Sequence, residues 1–87
     1  MPRYYFNLLS PEEDSVDDVG NVFPNAEAAY FGAYEAALDI SFEMLRAGQD
    51  PSQHRFDVRG DDGRFLFDLP FADVLRPTGT PRVAVVN

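Results

Sequence analysis

Cysteine is absent from the chain, and so is lysine. Without cysteine there is no disulfide staple, no thiolate metal site and no cysteine nucleophile, which is compatible with a cytoplasmic setting. All seven cationic residues are arginines, set against 15 acids for a net charge of −8. No stretch of roughly 18 apolar residues runs together, as a membrane-spanning helix would require. Met1 to Leu9 likewise lacks the long apolar run of a signal peptide. The expectation is a soluble cytoplasmic protein that does not engage membrane.

The placement of charge says more than its size. Residues 1–53 hold ten acids and two arginines, Arg3 and Arg46, whereas residues 54–87 hold five of each sign. Phosphate-led binding needs a basic stripe that displaces counterions, and the N-terminal part is the reverse of one. Five acids between Glu12 and Asp18 repel DNA, RNA and anionic lipid alike, so no nucleic-acid partner is expected. At 87 residues, 45% of them hydrophobic, the chain has apolar bulk for one small core.

The longest coherent pattern is Asn25 to Gly48, which predicts one helix of about 22 residues, roughly 33 Å long. Asn25 suits the N-cap, Glu27 the first turn, Arg46 the last turn and Gly48 the C-terminal stop. Stepping around this helix, Gly32, Glu35, Asp39, Glu43 and Arg46 fall on a solvent side. Ala29, Tyr30, Ala33, Tyr34, Ala37, Leu38, Ile40, Met44 and Leu45 form a stripe expected to pack on a sheet. Phe31 and Phe42 widen that stripe beyond what a single sheet contact needs, and their cover is either the chain's own tail, Phe71 to Leu75 or Arg82 to Val86, or another molecule.

Around the helix the pattern is strand and turn. Tyr4–Leu9 reads as a strand apolar on both faces, and Ser10–Asp18 as a solvated acidic loop. Val19–Phe23 reads as a returning strand. His54–Arg59 alternates as a half-exposed strand, and Gly60–Gly63 (GDDG) is a hairpin turn. Phe65–Leu69 is its partner strand, with Phe65, Phe67 and Leu69 inward. Phe71–Leu75 is expected to make a helical turn that tucks Phe71 and Leu75 under the sheet. The fold expected is α+β, a two-layer β-β-α-β-β sandwich. It has a four-stranded antiparallel sheet with the helix across one face and the first and fourth strands central. Residues 1–76 form one domain, and 77–87 a linker-like tail whose Arg82–Val86 can add a short strand.

Sites of chemistry are sparse. A calcium loop needs oxygen ligands at alternate positions and glycine at the sixth. Counting from Asp14 the third and sixth residues are Val16 and Val19, and from Asp57 they are Arg59 and Asp62, so no metal is expected. His54, the single histidine, stands three residues from Asp57 and on a strand would face away from it. No serine-nucleophile elbow, phosphate loop or HExxH occurs. Tyr4, Tyr5 and Phe6 lack the glycine- and lysine-rich signature of aromatic RNA-binding sheets. No enzyme and no cofactor are expected.

The opening PRYYF, then DDVGNVFPNAEAA, then FDVRGDDGRFLFDLPFADVL resemble a family of short proteins of unknown function abundant in rhizobia and related bacteria, domain-of-unknown-function family 6894. The resemblance spans Pro2 to about Arg76 and implies no activity. Asn7 departs from it, standing where the family usually carries histidine. Val22-Phe23-Pro24 leading into an Ala- and Glu-rich helix also resembles HicB-type antitoxin domains, which implies binding of a small basic protein. From the residues themselves the expected role is a non-enzymatic interaction domain, a homodimer through Phe31, Tyr34, Leu38, Phe42 and Leu45. The antitoxin-like binder is the alternative.

Overall fold

The structure is a computed structural model that describes residues 1–76. Strands β1 (Arg3–Leu9), β2 (Asp14–Ser15) and β3 (Asn21–Val22) precede helix α1 (Ala26–Arg46). A 3-10 turn (Pro51–Gln53), β4 (Arg55–Arg59), β5 (Phe65–Pro70) and a short helix α2 (Phe71–Leu75) follow. The fold is α+β: an antiparallel five-stranded sheet with one long helix against one face. The expected strand at Arg82–Val86 lies outside the described residues.

The long helix forms where its caps predict. The Asn25 side chain accepts the Ala28 N–H at 2.8 Å, and Gly48 takes a positive φ of 78° just past the end. Ala29, Ala33, Ala37 and Ser41 recur every four residues and are fully buried, so the small side chains bring helix and sheet close together. Facing them on the sheet are the rows Phe6–Val58–Phe67 and Leu8–Phe56–Leu69. Phe71 and Val74 of α2 close the end of this core.

Several expectations are corrected. The sheet has five strands, because Asp14–Ser15 of the acidic loop pairs with Leu8–Leu9, while β3 pairs with Arg3–Tyr4. The central strands are the first and third of the expected four, β1 and β4, and Phe65–Pro70 lies at the edge. Apolar content on both faces does not make β5 central. The outer face of the sheet carries no helix among the described residues, so a central strand needs only one apolar face, and Phe56 and Val58 supply it.

Phe65 points outward. A register shift between Val58 and Arg59 pairs Phe67 with Val58 but Phe65 with Arg59, leaving Leu66 as the extra residue. A one-residue insertion reverses the facing of everything beyond it, so Phe65 stands 49% exposed under the Arg59 guanidinium. In α2 it is Phe71 and Val74, three apart, that are buried, and Leu75 is only half-buried. Gly32 does not face solvent either: the Phe23 ring lies where its Cβ would stand, 2.6 Å from that position. Phe23 in turn stacks on Phe6 at 5.9 Å and meets Tyr4 edge-on at 6.0 Å.

Candidate interaction surface

Beyond the buried seam of α1 the helix carries a second apolar stripe. Phe31, Phe42 and Leu45 are 60%, 56% and 52% exposed. Tyr34 and Leu38 sit between them, half-buried and leaning into the core. The Tyr34 hydroxyl reaches the Val74 carbonyl at 3.4 Å, which ties the stripe to α2. Tyr30 was expected on the sheet; it packs on Phe67 with ring centroids 5.5 Å apart and meets Phe31 edge-on at 5.8 Å. Leu45, expected to pack on the sheet, is instead exposed, and Ser41 takes the buried place at that end of the helix. On one flank of the stripe stand the exposed acids Glu35, Asp39 and Glu43, the last paired with Arg46 at 2.7 Å.

The charged side chains on the sheet's outer face are paired with one another. Arg59 grips Asp57 through Nε at 2.8 Å and a second nitrogen at 3.2 Å, and Arg55 meets Asp68 at 2.6 Å. The Arg59 hydrogen bonds hold the Asp57 carboxyl below the ordinary carboxylate value against the opposing effect of burial, with help from Asn7. Asn7 bridges outward: its amide donates to Asp57 at 3.4 Å, while its oxygen accepts the Asp17 N–H at 2.9 Å.

His54 and Asp57 are not brought together. The His54 ring stacks on Phe71 at 5.9 Å, with its Nδ1 buried and without a partner among the described residues. Asp57 is taken up by Arg59 and Asn7. An open groove of about 620 Å³ lies between the β1–β2 turn and the end of α1, with Glu12, Glu13, Asp50 and His54 on its walls. Among the described residues no group of three or more histidine or carboxylate side chains is placed to hold a metal ion. Nor is any described helix long and apolar enough to cross a membrane.

The acidic loop contains the residue that sequence pattern alone does not single out. Asp17 accepts backbone N–H groups from Phe6 at 3.0 Å, Val19 at 3.1 Å and Gly20 at 2.9 Å. Partial burial pushes its pKa up, but these three donors outweigh that and bring it below the ordinary value. An Asp two and three residues before exposed backbone N–H groups is the available signal, since Asp commonly closes such turns on itself.

Compared with known proteins, the chain matches one family model over residues 3–72, described as a domain of unknown function (DUF6894). No curated protein matches it, and no solved structure does.

Proposed function

The chain belongs to the DUF6894 family of domains of unknown function, and from that premise we propose that it is a non-enzymatic interaction domain that self-associates through the exposed stripe of α1. The observation that carries this is the exposure of Phe31, Phe42 and Leu45 on one side of one rigid helix. Each offers about 100 Å² of apolar surface, and at about 25 cal/mol per Å² covering it favours association by a few kcal/mol per side chain at most. A second copy supplies the cover most economically, because one patch then serves both partners. Asp57, taken up by Arg59 and Asn7, is not placed to activate His54, which supports the non-enzymatic part. The lack of cysteine fits a cytoplasmic setting.

Sedimentation equilibrium up to about 0.5 mM protein, a range that reveals even weak dimers, is the test. Wild type is expected to dimerise, and the Phe31→Ser/Phe42→Ser double variant to remain a folded monomer. A wild-type protein that stays monomeric throughout refutes the proposal.

A second reading has its own observation. Val16 and Val19 stand 75% and 71% exposed among Glu12, Glu13, Asp14 and Asp18, on a loop that Asp17 ties down. An apolar ridge flanked by acids suits a small basic protein. Such binding weakens as salt rises.

A further inference from the structure

Independently of any self-association, we propose that residues 11–19 are a strap over the outer edge of β1, which opens as a unit while the rest of the fold stays closed. β1 is a central strand whose two edges are covered differently. Along one edge β4 pairs without a break from Tyr5 to Leu9. Along the other, β3 pairs at Arg3 and Tyr4 and β2 at Leu8 and Leu9, and the Asp17 carboxylate takes the Phe6 N–H between them. Backbone groups of successive strand residues point to opposite edges. The N–H groups of Phe6 and Leu8 therefore face the strap, and those of Tyr5 and Asn7 face β4.

Few bonds and almost no packing hold the strap. Among residues 11–19 Asp17 is half-buried and all the others are exposed. Its links to the sheet are the two β2 pairs, the Asp17–Phe6 bond, the Asp17 N–H on the Asn7 side chain and Arg3 on the Val19 carbonyl at 3.0 Å. The Ser10 hydroxyl and the Glu13 backbone bond each other, which shapes the turn without tying it to the sheet. Glu12, Glu13, Asp14, Asp17 and Asp18 repel one another along the strap, and opening lets them spread.

Beyond Val19 the chain is packed down again. A Cβ on Gly20 would stand 2.9 Å from the Tyr4 carbonyl oxygen, and Phe23 stacks on Phe6. The opening therefore stops at Gly20. A segment with exposed hydrogen bonds and no buried apolar side chain opens at lower free energy than the core beside it. Closed, the strap keeps a central strand from presenting a bare edge; open, it bares Phe6 and Leu8.

Amide hydrogen exchange, read residue by residue by NMR in the full chain, tests this because the two kinds of reporter alternate along one strand. After correction for intrinsic rates, Phe6 and Leu8 should exchange at least about tenfold faster than Tyr5 and Asn7. Low urea should accelerate them little, since opening the strap exposes little surface. Val74→Ala trims the buried core at α2, so it should speed Asn7 several-fold and leave Phe6 unchanged. Equal protection of Phe6 and Asn7 in wild type overturns the proposal, and so does a Val74→Ala variant in which both accelerate alike. Should that variant not fold, the wild-type alternation and its urea dependence decide the matter.

Discussion

The Asp17 carboxylate accepts the Phe6 backbone N–H at 3.0 Å, in the gap where neither β2 nor β3 pairs with β1. One side chain thus stands in for the missing rung of the ladder, and its two further bonds to Val19 and Gly20 fold the loop around it. Replacing it with alanine leaves three donors without their charged acceptor and should cost about 2–3 kcal/mol in urea denaturation.

The same bonds fix a pH dependence. Folding lowers the pKa of Asp17 and of Asp57 below the ordinary 3.8. Their stabilisation is therefore complete above that value and is lost as pH falls through the lower folded values. The stability gap between wild type and Asp17→Asn should close in that acid window and remain constant near neutrality. A gap unchanged in strong acid contradicts the assignment.

Gly32 offers a reversal of sign. A glycine inside a helix ordinarily gains about 1 kcal/mol on replacement by alanine. Here the new methyl would meet the Phe23 ring at 2.6 Å. Gly32→Ala should instead lose about 1–2 kcal/mol, and a second change, Phe23→Leu, should recover part of it in a double-mutant cycle.

Ser41 is fully buried, and its hydroxyl has no partner among the described residues. Removing an unpaired buried hydroxyl relieves its desolvation, and alanine is the better helix former. Ser41→Ala should raise stability by about 1 kcal/mol, a melting shift of roughly 4–8 °C for a domain this size.

The helix, its caps and the β4–β5 hairpin are legible in the sequence because each rests on local chemistry: Asn25 as N-cap, Gly48 past the end, Asp-Gly in the turn. Strand order is not, since the alternation of His54–Arg59 shows a half-exposed strand but not its neighbours. The facing of Phe65 depends on a single extra residue in the hairpin, which period-two reading cannot detect. Gly32 and Asp17 are set by contacts with Phe23 and Phe6 that neither helical nor strand periodicity reports. Within the stripe the exposed residues Phe31 and Phe42 follow from helical periodicity, whereas Tyr34 and Leu38 lean inward because α2 and the core reach them.

Central to this account is the α1 stripe as a self-association surface, and a dilution series of backbone amide NMR spectra tests it residue by residue. As the concentration rises toward about 1 mM, the amides that shift should be those of the stripe, Phe31 to Leu45, and the acidic loop and outer sheet face should stay still. Spectra unchanged across the series, or shifts confined to Glu12–Asp18 or to the outer face around Asp57, would contradict it.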